Sequence, residues 1–268
     1  MKTESIALLA ALCAAQSLTA QPKRQGAYPP AGYTLTWVDD FNGTALDTAK
    51  WVYRTDVKGL SSQRAENVEV HDGYLTILLK KEKDRGMDYT GGGVISKERF
   101  HYGYFEASVK MHGKAGWHQS VWAMAAGDGS TTYPPAMRTE IDGIEFDSDL
   151  PTKGHMGLIL WKDPRTSRAK TCTPGVYRNP LGFDASTGFH TYGFEYSEKD
   201  VRFYLDGDLR CILDYPPADG EHDALNFWLT AIGYEMGARG KGAANVDDSG
   251  LPGRMVIDFA AFYTRERK

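Results

Sequence analysis

Apolar and polar residues alternate along most of this chain with a period of two, which is the spacing of strands and not of helices. In YGYFEASVKM (Tyr102–Met111), Tyr102, Tyr104, Glu106, Ser108 and Lys110 share one face, while Gly103, Phe105, Ala107, Val109 and Met111 share the other. That is the signature of a half-buried antiparallel strand. YLTILLKK (Tyr74–Lys81) and the closing MVIDFAAFY (Met255–Tyr263) read as strands too. VRFYLDGDLRCIL (Val201–Leu213) is divided by Asp206–Gly207, a hairpin signal. A further turn is expected at Gly91–Gly93. No sustained helical period follows the first twenty residues, and there is no internal repeat or charge block. The pattern predicts one all-β domain, a sandwich or jelly roll.

Composition agrees with that picture. The 268 residues are 41% hydrophobic and 25% charged, as in ordinary globular proteins. The 15 Tyr, 11 Phe and 6 Trp supply large strand formers, and 29 Gly with 12 Pro supply turns. A net charge of -4 leaves no basic field for nucleic acid, so a neutral or mildly polar partner is the easier fit. Residues 1–20 carry Lys2, an apolar run from Ile6 to Ala15 and small residues up to Ala20. They read as a secretory signal peptide, too short to span a bilayer. Residues 21–32 read as a flexible lead-in, and 33–268 as a single domain. A secreted or periplasmic monomer with no membrane contact after signal removal is expected. Cys172 and Cys211 then remain, either bridged or as two separate buried thiols.

The chemistry concentrates in TEIDGIEF (Thr139–Phe146). A straight strand would set Glu140 and Asp142 on one face and drive Glu145 into the core beside Ile141. An unpaired buried carboxylate is costly. One β-bulge at Gly143 removes the conflict: Glu140, Asp142 and Glu145 then face outward together, and Ile141, Ile144 and Phe146 face inward. Crowded carboxylates repel, which splits their pKa values. A split pair divides the labour of glycoside hydrolysis between an ionised nucleophile and a protonated acid. A calcium cluster prefers loop carbonyls to a strand, and a solvated acidic face needs no interleaved apolar residues.

At this motif the sequence resembles glycoside hydrolase family 16, in the longer Glu-x-Asp-x-x-Glu form of its laminarinase and agarase-like branch. Similar blocks run in the family order: LTWVDDFNGTALDTAKW (Leu35–Trp51), AENVEVHDGYLTI (Ala65–Ile77), GGGVISKERFHYGYFEASVKM (Gly91–Met111), GWHQSVWAM (Gly116–Met124) and FHTYGFEYSEKDVRFYLDG (Phe189–Gly207). The resemblance implies a β-jelly roll of two curved antiparallel sheets with a concave substrate cleft. It also implies Glu140 as nucleophile, Glu145 as general acid/base, Asp142 as assisting carboxylate, and retention of anomeric configuration. Gly143 departs from the family, which usually has an apolar residue there. HQS (His118–Ser120) also departs from the usual stretch before Trp122.

Sugar rings stack on aromatic faces, so Trp117 and Trp122, just before the acidic strand, are candidates for substrate binding. GHMGLILW places His155 and Trp161 on one face of the next strand, as further candidates. Asn67 matches a family position that contacts substrate, and Glu106 is either a cleft neighbour or a structural hydrogen-bonder. Catalysis needs no cofactor. The resemblance allows a structural calcium at Asp40, the Gly73 backbone and Asp258, with a salt bridge at Asp258 as the alternative. The implied activity is a secreted endo-glycosidase on β-linked polysaccharide. A β-1,3-glucan is the leading substrate and a galactan the alternative, and a non-catalytic carbohydrate-binding jelly roll is the rival from another class.

Overall fold

The computed structural model describes residues 26–124, 138–161, 167–173, 178–216, 222–234 and 246–265. The expected signal peptide lies outside them. The chain forms a β-jelly roll of two curved, mostly antiparallel sheets. The inner sheet runs β12 (Ser167–Thr171), β11 (Lys153–Trp161), β10 (Arg138–Asp147), β9 (Trp117–Met124), β17 (Leu225–Gly233), β7 (Met87–Phe100) and β2 (Trp51–Tyr53). The outer sheet runs β16 (Asp208–Asp214), β15 (Asp200–Leu205), β14 (His190–Tyr196), β8 (Gly103–Lys110) and β18 (Gly253–Arg265). The far edge of β18 is shared by β1 (Tyr33–Asp39) and β6 (Tyr74–Asp84), and β5 (Val68–His71) pairs with β6.

Both sides of the sandwich are tied. On one side β6 leaves the outer sheet and its end pairs with the start of β7, which continues into the inner sheet. Their turn is at Arg85–Gly86, where φ is 47° and 83°, as a two-residue hairpin loop needs. Gly91–Gly93, expected as the turn, lies inside β7. Those glycines are there for space: a Cβ on Gly91 would stand 2.3 Å from the Ala231 carbonyl, and one on Gly93 2.8 Å from Thr230. On the other side Cys172, just past β12, is bridged to Cys211 on β16, which resolves the open question about the two thiols. The bridge joins the edge strands of the two sheets and closes a loop spanning 39 residues. In the chain-entropy picture that constraint contributes about 4 kcal/mol. Lys170 spans the same seam, its Nζ donating to the Asp214 carbonyl at 2.5 Å.

Tyr104 and Glu106 of β8 are as buried as Phe105 and Ala107, so this strand is covered on both faces and not half-buried. The cover is the start of the described chain: the Tyr28 amide donates to Glu106 Oε2 at 3.0 Å, and Tyr263 Oη donates to Oε1 at 2.6 Å. Glu106 is therefore a structural acceptor on the outer sheet and not a cleft neighbour. Part of the expected lead-in, at Ala27 and Tyr28, lies against this face.

Between the sheets Phe105 is a hub. It stacks on Phe194 at 4.7 Å and meets Phe227 of the inner sheet edge-on at 5.4 Å. Phe194 in turn supports the strand that carries the acidic residues. On β10, Asp142 pairs with Trp122 of β9, yet Ile144 pairs with Val121, so Gly143 is one extra residue. The register against β11 shifts between Asp142 and Glu145 as well. Ile141, Ile144 and Phe146 are fully buried, as the bulged reading requires. The reason for glycine is contact, not a positive φ: a Cβ would lie 2.5 Å from Phe194 Cδ1 and 2.9 Å from the Val121 carbonyl.

Gly143→Ala should therefore destabilise the protein by about 1–3 kcal/mol through overpacking. Combining it with Phe194→Leu should recover part of that loss, since the two positions are in contact. Thermal melts of the four proteins in the cycle test this. Strict additivity of the two substitutions would show that Phe194 does not set the bulge.

Candidate active site

The bulge, together with strand alternation, builds one wall of a cleft. From β10 come Glu140, Asp142 and Glu145, and from β9 His118, Ser120, Trp122 and Met124. From β11 comes Trp161, and from β17 Thr230 and Ile232. Arg54, Lys58 and Tyr234 from the connecting segments complete a cavity of about 270 Å³. All three expected carboxylates thus share the cleft.

Each carboxylate has a different setting. Glu140 Oε2 accepts the Trp161 indole N–H at 2.5 Å. Burial, opposed by that hydrogen bond and reinforced by the charge of Glu145, raises its pKa to about 7. Asp142 is 2% exposed, and burial plus the charges of Glu145 and Glu140 push it well above the carboxylate range. Asp142 hydrogen-bonds Glu140, and that contact favours the ionised form of the glutamate while disfavouring ionisation of the aspartate. Glu145 Oε1 faces His118 Nε2 at 3.1 Å, and its Oε2 lies 3.8 Å from His155 Nε2. His118 Nδ1 lies 2.7 Å from Asp147 Oδ1. Burial works against a charged imidazole, but the hydrogen bonds to Asp147 and Glu145 outweigh it and raise the His118 pKa to about 9. Burial likewise opposes ionisation of Asp147, but His118 and Arg178 hold it below its ordinary value.

The candidate binding residues divide. Trp122 faces the cleft, its indole N–H donating to Thr230 Oγ1 at 3.0 Å and its ring 4.5 Å from that of Trp228. His155 and Trp161 are on the cleft face of β11, as their alternation predicts. His155 is 3% exposed, and its ring occupies space over Gly157 that a side chain there would fill. Trp117 does not line the cleft. It is 1% exposed and meets Tyr89 edge-on, because the alternation that turns Trp122 outward turns Trp117 into the core. Asn67 is also internal: it is fully buried in a 3₁₀ turn and donates to the Gly91 carbonyl at 2.9 Å. The calcium candidates do converge, with Asp40, Gly73 and Asp258 lining one outer pocket together with Asn42 and Asp72.

Several cleft residues were missed in the sequence. His118 and Ser120 were readable, since counting back by two from Trp122 reaches both. Arg54 and Lys58 had no such signal because they come from a segment of short strands and turns. Arg54 is held by a paired hydrogen bond to Asp56 and lies 5.9 Å from the Trp228 ring.

A two-sheet jelly roll with a carboxylate-lined cleft defines the class of β-sandwich glycosidases. The comparisons place the chain within it. The model of the β-porphyranase A–D type family 16 domain matches residues 35–223. The chain belongs to glycoside hydrolase family 16 and is a glycosidase. A β-glucanase of Rhodothermus marinus is 27% identical over 251 residues, covering 86% of this chain and 85% of that protein. The κ-carrageenase of Pseudoalteromonas carrageenovora is 27% identical over 238 residues, covering 76% of this chain and 57% of its own. The family 16 endo-β-1,3(4)-glucanase SCLam shares the fold with a TM-score of 0.71 at 24% identity, over 90% of this chain and 95% of that one. Among the described residues no helix is long and apolar enough to cross a membrane.

A carboxyl whose pKa is raised by folding adds stability at low pH that is lost as pH climbs through the folded value. For Glu140 that window runs from its ordinary 4.5 to about 7. Glu140→Gln should therefore melt roughly 6–12 °C above wild type at pH 8, the span of about 3 kcal/mol for this chain length. The gap should close by pH 5. An equal or lower melting temperature at pH 8 would show that Glu140 is not destabilised by its charge.

Proposed function

We propose that the protein is a retaining endo-glycosidase of β-linked polysaccharide in which Glu140 is the nucleophile and Glu145 the general acid/base. The bulged β10 carries this reading, because it alone puts all three carboxylates into one cleft. In the first half-reaction Glu140 attacks the anomeric carbon while Glu145 protonates the leaving oxygen, giving a covalent glycosyl-enzyme. In the second, Glu145 takes a proton from water, which displaces Glu140 and restores the starting configuration. Asp142 supplies a hydrogen bond that favours the ionised form of Glu140, while Trp122 and Trp161 offer ring surfaces to sugars.

The porphyranase-type family match and the κ-carrageenase relative point to a β-linked galactan, which we take as the leading substrate, whereas the β-glucanase relatives keep the β-1,3-glucan of the sequence expectation as the second reading. The leader-like first twenty residues and the bridged cysteines support an exported enzyme, which we take to act as a monomer. Reducing-sugar release from laminarin, agarose, porphyran and κ-carrageenan tests the substrate. Release from a galactan is expected, and release from laminarin alone would return the glucan to first place. Glu140→Ala should fall to background on the active polymer. Glu145→Ala should lose about 10²–10⁴-fold on the polymer, and on an activated aryl glycoside, whose leaving group needs no proton, its turnover should rise with azide. Wild-type activity in Glu140→Ala, or an inverted first anomer by proton NMR, would contradict the mechanism. Correctly folded wild type inactive on every glycan would favour the carbohydrate-binding rival.

We also propose that the outer pocket holds a structural calcium. The carboxylate and amide oxygens of Asp40, Asn42, Asp72 and Asp258, with the Gly73 backbone, form the hard oxygen set that this ion prefers. Calcium at about 100 times its Kd should then add about 2.7 kcal/mol of stability. The melting temperature in calcium should exceed that in EDTA for wild type but not for Asp258→Asn. No calcium-dependent shift in wild type would remove the ion.

A further inference from the structure

The two-carboxylate mechanism leaves His118 without a task. His118 is the ionisable side chain on the cleft face of β9, and its side chain is only 11% exposed. Both ring nitrogens are engaged. Nδ1 lies 2.7 Å from Asp147 Oδ1, and Nε2 lies 3.1 Å from Glu145 Oε1 and 3.1 Å from Ser120 Oγ. Asp147, 5% exposed, is clamped by Arg178, whose Nε and Nη2 donate to Oδ2 at 2.9 and 2.5 Å. An imidazole between two carboxylates needs a proton on each side. With Nδ1–H committed to Asp147, one further proton lies on the line between Nε2 and Glu145 Oε1. On nitrogen it leaves Glu145 a carboxylate, and on oxygen it makes Glu145 an acid. Those are the two states that a retaining acid/base alternates between.

We propose that His118, fixed by the Asp147–Arg178 pair, is a positioning residue that stores the proton Glu145 delivers and recovers in each turnover. This rests on Glu145 being the acid/base. In the first half-reaction the proton passes from Nε2 to Oε1 and on to the glycosidic oxygen as its bond to the anomeric carbon breaks. The products are a neutral imidazole, an alcohol and the Glu140 ester. In the second, water gives a proton to Oε1 and its oxygen bonds to the anomeric carbon. The ester bond to Glu140 breaks, and the proton returns to Nε2. Protons and electron pairs balance with no other reactant.

The groups around this pair are compatible with that role. From β10, ionised Glu140 adds negative charge, which favours retaining the stored proton, and Asp142 lies beside it with its own ionisation suppressed by burial. From β11, His155 faces the other oxygen of Glu145 at 3.8 Å. Past β17, the Tyr234 ring is 5.0 Å from the His118 ring, and Lys58 lines the same cavity. The raised proton affinity of His118, to about 9, keeps the store filled through neutral pH.

The test is kcat/KM against pH for wild type, His118→Gln and Asp147→Asn on the polymer identified above, and on an oligosaccharide with an activated aryl leaving group. His118→Gln should move the basic limb down by about one pH unit or more, because Glu145 must then hold its proton unaided. It should cost about tenfold or more in kcat on the polymer and far less on the aryl substrate, whose leaving group needs no proton. Asp147→Asn should move the same limb part of the way. A purely structural role for His118 would depress both substrates alike and leave the limb in place, which would overturn the proposal. Should His118→Gln fail to fold, ¹⁵N NMR of the wild-type imidazole decides: an imidazolium persisting past pH 8 supports the store, and titration near 6.5 overturns it. Azide rescue of Glu145→Ala on the aryl substrate keeps the two readings apart. Rescue with an unmoved limb defeats His118 alone, whereas absence of rescue defeats the acid/base assignment itself.

Discussion

The ring of Phe194 lies against the backbone of Gly143, and the carboxylate-bearing wall of the cleft depends on that contact. A side chain at this position would collide with the ring. With glycine there, β10 takes one extra residue and the parity of the strand resets. Without the reset, Glu145 would be turned into an aromatic core and Ile144 into the cleft. The space beside Gly143 is filled from across the sandwich, by a phenylalanine of the outer sheet stacked on Phe105. The shape of the active strand is therefore a property of both sheets.

Crowding the carboxylates is what makes them useful. Burial and mutual repulsion raise Glu140 and Asp142, while Asp147, two residues past Glu145, is held low by His118 and Arg178. Acids on one strand thus span a wide range of proton affinity because their partners differ. Glu140 has an indole N–H, Asp142 lies between the charges of Glu140 and Glu145, and Asp147 has two cations. This destabilises the empty cleft at neutral pH. The disulfide between the edge strands and the β6–β7 crossover bind the sandwich along both sides and offset that cost.

Much of this was legible in the chain. The bulge followed from counting, since Ile141, Ile144 and Phe146 cannot share a face in a straight strand. The hairpin at Asp206–Gly207 and the cleft face of β11 followed from period-two alternation. Trp117 was misread because nearness to Trp122 was weighed above parity, and parity also pointed to His118. Gly91–Gly93 resembled a turn because a glycine run is ambiguous between freedom of φ and lack of bulk, and only the approach of β17 decides. Asn67 is a buried hydrogen-bonder whose environment depends on packing across the sheet. The cysteine pairing was undecidable, since it depends on two edges meeting 39 residues apart. Arg54 and Lys58 belong to an irregular segment in which no period indicates direction.

The central claim is that the bulged strand presents Glu140 to the anomeric carbon as a nucleophile. Covalent trapping tests it most directly. The wild-type enzyme would be treated with an activated 2-deoxy-2-fluoro oligosaccharide of its substrate, digested, and mapped by mass spectrometry. The account predicts a single glycosyl adduct on Glu140. An adduct on Glu145 or Asp142, or steady turnover of the reagent with no adduct formed, would contradict it.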